Sequence, residues 1–144
     1  MRSIAIGLAC VLVLPLSAAG QDAPAAAKWT DVDWYRVVQI DFESGKMNAA
    51  MDFIDEHFVP ATEAAGTPGP AMLLWHETGE WDLTVLWVMA EGPSSMEWRR
   101  SPDNIKWWSA LVAHEGGADA AAAVWAEWNS MIERTNSFIA RKRR

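Results

Sequence analysis

Apolar side chains in residues 34–42 stand at the even positions Trp34, Val38, Ile40 and Phe42, with Arg36 the exception. The odd positions Tyr35, Val37, Gln39 and Asp41 are mixed, and this period of two predicts a half-buried strand. The period then changes. Beyond Ser44, placed to cap a helix, Met47, Ala50, Met51, Ile54, Phe58, Ala61 and Ala65 recur at spacings of three and four. Pro60 falls late in that helix, has no amide hydrogen and leaves the Glu56 carbonyl without its intrahelical donor, so a kink or break is expected around residues 58–60. Gly66 stops the helix, and Pro68-Gly69-Pro70 makes a rigid turn.

Two strand-like runs follow, residues 71–77 and 81–89, separated by Thr78-Gly79-Glu80, and they predict a hairpin. In the second run Trp81, Leu83, Val85, Trp87 and Met89 share one face, which reads as core. The facing of His76 depends on the loop length, since one added residue reverses which parities meet. After Gly92-Pro93 comes an irregular segment to Arg100, then Ser101-Pro102-Asp103 starts a helix over 104–114 that Gly116-Gly117 ends. The remainder, 118–144, reads as helix throughout: Ala121, Trp125, Trp128, Ile132, Thr135 and Ile139 alternate in steps of four and three, widened by Val124, Met131 and Phe138.

The predicted order is strand, helix, strand, strand, short helix, long helix. That is an α+β domain over 33–144, preceded by a flexible lead over 21–32, in which helices cover one face of an antiparallel sheet of three to four strands. The uncovered face needs a partner, so a homodimer joined through the sheet is expected on physical grounds.

The strand at 35–42, Ser44-Gly45-Lys46-Met47, Glu56-His57-Phe58-Val59-Pro60 running to Gly66, Thr78-Gly79-Glu80-Trp81, and Arg100-Ser101-Pro102-Asp103 running to Trp107 resemble the NIPSNAP-like branch of the dimeric α/β-barrel superfamily. The likeness covers roughly residues 33–115 and implies a ferredoxin-like fold. In that fold a fourth strand follows the second helix, where this chain reads as helix. Either the strand is lost to the long helix, or a short piece within 93–98 replaces it. Members of the superfamily include cofactor-free monooxygenases, haem-degrading enzymes, cyclases and isomerases, and the resemblance implies a small hydrophobic ligand more readily than one reaction.

Composition sets the compartment. Arg2, the apolar run of residues 4–14, Pro15 and the small residues after it follow the order of a secretory signal over 1–20, cleaved before Gly20 or Gln21. Export to the periplasm or outside is expected. The run is shorter than the ~18 to 20 residues that span a bilayer, so no membrane span is expected. Cys10, the one cysteine, lies inside it, and the mature chain would have no disulfide. Twelve basic against nineteen acidic residues argue against a nucleic-acid partner. The basic end Arg141, Lys142, Arg143 and Arg144 reads as a helix terminus complementing the dipole.

Of three histidines, none is spaced at i+3 or i+4 from another, so no metal site is expected from spacing. No Gly-rich phosphate loop or nucleophile motif is present, and no cofactor is expected. His57, beside the apolar stripe, and His76, between Trp75 and Glu77, are each either satisfied boundary residues or the acid/base group of a pocket. His114 reads as a cation at a helix end. Ten tryptophans against one tyrosine point either to core filling or to a ring-lined cavity for an aromatic, polyene or haem-like ligand. Tyr35, Trp75, Trp87 and Trp107 are the candidate lining.

Three functions remain open at this point. The first is an exported protein binding a small apolar or aromatic ligand between sheet and helices. The second is a cofactor-independent oxygenase or isomerase-like enzyme using His57 or His76. The third is an interaction protein docking a partner on its Trp-rich helices.

Overall fold

The computed structural model describes residues 25–144. The expected signal, its cleavage site and Cys10 lie outside the described residues. Four strands form one antiparallel sheet in the order β2-β3-β1-β4: β1 (Val32–Phe42), β2 (Met72–Trp75), β3 (Leu83–Val88) and β4 (Ile132–Arg143). Between β1 and β2 run α1 (Met47–Phe53), a π-helical turn (Ile54–Phe58) and α2 (Val59–Ala65); between β3 and β4 run α3 (Pro102–His114) and α4 (Ala118–Ser130). This is the βαββαβ order of a ferredoxin-like fold.

The alternation in β1 decides which residues meet the helices. Ile40 and Phe42 join Leu83 and Val85 of β3, Ala50 and Phe53 of α1, and Trp128 and Met131 at the end of α4 in one buried cluster. Phe42 stacks on Trp75 at 6.2 Å and meets Trp128 edge-on at 5.7 Å, so aromatic packing joins sheet to helix. A second cluster, Ala61, Leu111 and Ala121, lets α2, α3 and α4 approach closely, because alanine keeps the helix surfaces low. Leu83 and Leu111 are wholly buried. Truncating either to Ala removes transfer energy and leaves a cavity, about 2–5 kcal/mol in all.

Several signals act as read. Gly66 takes the left-handed conformation at φ +60° and ends α2, and Ser101 Oγ accepts from the Asn104 amide at the start of α3. The break expected near Pro60 takes the form of the π-turn: the Val59 amide donates to the Ile54 carbonyl, one residue further back than in an α-helix. Ser44 does not cap the first helix. Lys46 occupies that position without a side-chain hydrogen bond, after a turn in which Gly45 adopts φ +76°.

The last quarter of the chain departs from the expectation. The helix ends at Ser130, and residues 132–143 form β4, so the fourth strand is present and the basic end belongs to a strand. The 93–98 alternative is likewise replaced, since Gly92–Glu97 is a 3-10 helix. Locally, Asn129 Nδ2 donates to the Trp125 carbonyl and Ser130 Oγ to the Glu127 carbonyl, taking up acceptors at the helix end. The larger cause is distant: β4 pairs with β1 from Phe42–Ile132 to Val32–Arg143, giving β1 a neighbour on each side. Arg134 Nε donates to Asp41 and its Nη1 to Glu80, each at 2.9 Å, and its guanidinium lies over the Trp81 ring. These hydrogen bonds, Asp41 first, hold its pKa above the usual arginine range. Arg144 Nε donates to Asp33 at 2.8 Å, which closes the other end of the strand pair.

Candidate functional site

Strand register separates the candidates onto two sides of the sheet. The helix-facing side holds Leu83, Val85 and Trp75; the opposite side carries Tyr35, Val37, Leu86, Val88, Met72, Leu74 and Phe138, paired across four strands. On that open side Met72, Leu74, Val88 and Phe138 are 48, 46, 58 and 44% exposed, a contiguous apolar surface spanning the sheet. A groove of about 300 Å³ opens there, lined by Tyr35, Val37, Ala71, Met72, Leu86 and Ala140, with Arg141 and Lys142 at its edge. Toward the other end of the face the pairs turn polar: Asn136 Nδ2 donates to Gln39 at 3.1 Å, and Arg134 meets Asp41.

His76 belongs to this open side. The His76 amide donates to the Asp82 carbonyl, which continues the β2-β3 ladder by one step and puts the histidine on the parity of Leu74. Its Nε2 shares a hydrogen bond with Thr84 Oγ1 at 2.9 Å, and Thr84 is the buried polar residue of the sheet. The loop parity that could not be read from sequence is settled by the pairing Trp75–Leu83.

His57 lies on the other side, in the helical layer. The π-turn places its ring 4.4 Å from Phe53, and its Nδ1–H donates to Glu115 Oε1 at 2.8 Å. Glu115 follows the last residue of α3, His114, whose Nε2–H donates to the Glu56 carbonyl at 3.2 Å. His114 Nε2 is also 3.8 Å from Glu115 Oε1. The expectation of a helix-end histidine is met, but its contact is a specific one, with the carbonyl that Pro60 deprives of its α-helical donor. Spacing within the chain could not bring out this group, because 58 residues separate His57 from Glu115. The sign that pointed to it was Pro60.

The tryptophans divide by role. Trp107 Nε1 donates to Thr62 Oγ1 at 3.0 Å, and Trp107, Trp125, Trp128, Phe53 and Phe58 pack ring on ring at centroid distances of 5.1–6.2 Å. These rings occupy the space between the helices. Trp75 is engaged with Phe42, as above. Trp87, assigned to the core face by its parity, lies opposite Arg36 and is 40% exposed. Of the proposed lining residues, Tyr35 alone borders the groove. Among the described residues no helix is long and apolar enough to cross a membrane.

No protein-family model matches the chain, and no curated protein matches its sequence. Solved structures do. A NIPSNAP family protein of unknown function from Agrobacterium tumefaciens superposes with a TM-score of 0.52 at 14% identity, over 78% of this chain and 89% of that one. An uncharacterised NIPSNAP domain protein from Burkholderia xenovorans gives a TM-score of 0.45 at 11% identity, over 74% of this chain and 91% of that one. At such identities the likeness concerns the backbone alone, and what it establishes is that this chain carries a NIPSNAP-like, ferredoxin-type α+β fold.

Proposed function

We propose that the protein is exported, pairs with a second copy through the open face of its sheet, and holds a small apolar or aromatic ligand in the groove beside Tyr35. The observation that carries this reading is the exposed apolar surface of Met72, Leu74, Val88 and Phe138 around a groove of about 300 Å³. An apolar centre with polar pairs toward its rim has the anatomy of a protein interface, and a groove at its centre is closed to water by the second copy. The open face, and not the helical layer, has room for a ligand, because Phe53, Phe58, Trp107, Trp125 and Trp128 pack ring on ring within that layer.

Binding of a neutral naphthalene or pyrene probe, followed by its fluorescence, tests the ligand half of the proposal. Tyr35→Ala is expected to weaken binding by at least ~1 kcal/mol, the scale of a lost apolar contact of this size. Equal affinity in the variant would remove the groove as the site. Export rests on the order of the first twenty residues, and intact-mass analysis of the exported fraction tests it: a chain beginning at Gly20 or Gln21 supports it, and one retaining Met1 opposes it.

A second reading, proton-transfer catalysis without a cofactor, draws on the position of His76 on the same face as the groove with its ring held by Thr84. Turnover lost in His76→Gln with ligand binding retained is the result that distinguishes it.

A further inference from the structure

Pro60 has no N–H, so the Glu56 carbonyl in the π-turn lacks the donor that an α-helix would supply at that position. His114 reaches that carbonyl from the last turn of α3, and Glu115 beside it reaches His57. Two imidazoles and one carboxylate are thereby gathered from two elements, with one donor atom from each residue lying within 4.8 Å of the others. We propose that His57, His114 and Glu115 form a binding site for a divalent transition-metal ion, zinc foremost.

The donor set and the spacing both favour this assignment. Bonds of about 2.0–2.1 Å to nitrogen in a tetrahedral shell place neighbouring ligand atoms about 3.3 Å apart. The observed 2.8 Å between His57 Nδ1 and Glu115 Oε1, and 3.8 Å between His114 Nε2 and that same oxygen, bracket this value. The two imidazole nitrogens, within 4.8 Å of each other, close onto the ion by side-chain rotation. Two neutral imidazoles with a carboxylate suit zinc better than calcium or magnesium, which prefer oxygen. On binding, each neutral ring moves its proton to its other nitrogen, leaving the His57 Nδ1 and His114 Nε2 lone pairs for the metal, with no net loss of protons. The Glu56 carbonyl, 3.2 Å from His114 Nε2, or a water completes the shell.

The ligands are also positioned in advance. His57 is held against Phe53, and its side chain and that of Glu115 are 18 and 13% exposed, while His114 is more open and provides the way in. The site shares no residue with the groove on the open face, so it stands or falls separately from the ligand proposal.

The test uses the untagged mature chain, stripped with chelator and titrated with Zn²⁺ by calorimetry. One equivalent is expected to bind, and His57→Gln, His114→Gln and Glu115→Gln should each lower the affinity at least about tenfold, the smallest loss typical of disturbing a metal site. His76→Gln should leave it unchanged. As a check that needs no variant, one equivalent of Co²⁺ should shift or broaden the ring-proton NMR signals of His57 and His114 and spare those of His76. Failure to bind stoichiometrically, unchanged affinity in the three variants, or perturbation of His76 instead would overturn the assignment and leave the three side chains as a hydrogen-bonded cluster.

Discussion

His57 Nδ1 and Glu115 Oε1 meet at 2.8 Å, tying the π-turn of the first helical unit to the end of α3. Because both side chains are largely removed from solvent, the bond keeps more of its strength than a surface pair would. A double-mutant cycle of His57→Ala and Glu115→Ala, read by urea unfolding, should show a coupling of about 1 kcal/mol. Independent, additive effects would mean that the two helices are held together without this contact.

Much of the fold could be read from residues that act locally. The alternation at 34–42, the stop at Gly66, the cap at Ser101 and the hairpin over Thr78-Gly79-Glu80 each report on a few neighbouring positions, and each appears in the structure. β4 was not legible for the opposite reason. Ile132, Thr135 and Ile139 fit a helical stripe as well as a strand, and what decides between them is the long pairing with β1, nearly a hundred residues away in the chain. Separation along the chain, here 58 residues, also hid the His57–Glu115 contact, while Pro60 announced the disturbed helix that makes it possible. His76 was ambiguous because a one-residue change in a loop inverts a strand.

Gly92 tests how closely β1 packs on the segment after β3. It adopts φ +62°, and a Cβ there would stand 3.1 Å from Trp34 Cδ1. Gly92→Ala should therefore cost about 1–3 kcal/mol in thermal or urea unfolding, from backbone strain together with the displaced indole. Gly45→Ala is the comparison: its φ of +76° carries the strain, but open space surrounds it, so its loss should be smaller. Equal losses would show that the Trp34 contact contributes nothing.

Trp107 distinguishes packing from hydrogen bonding in the aromatic layer. Trp107→Phe keeps a ring but removes the bond to Thr62, and should cost about 1 kcal/mol; Trp107→Ala should cost about 3–5 kcal/mol through the cavity it leaves among Phe58 and Trp125. Chemical denaturation of the two variants checks both values. An alanine variant as stable as the phenylalanine one would mean that the rings leave room to collapse.

Phe138 lies on β4 opposite Val37, on the open face and 44% exposed. A charge there meets solvent in a single chain and an apolar partner in a pair. Phe138→Glu should separate the subunits while leaving the far-ultraviolet circular dichroism of the fold unchanged. A variant that remains paired would place the contact elsewhere.

Sedimentation equilibrium at micromolar concentration, on the chain from Gln21 onward, reads directly whether a second copy covers the open face of the sheet. The expected result is twice the mass of one chain, with association lost in Phe138→Glu. A folded single chain across that range would contradict it.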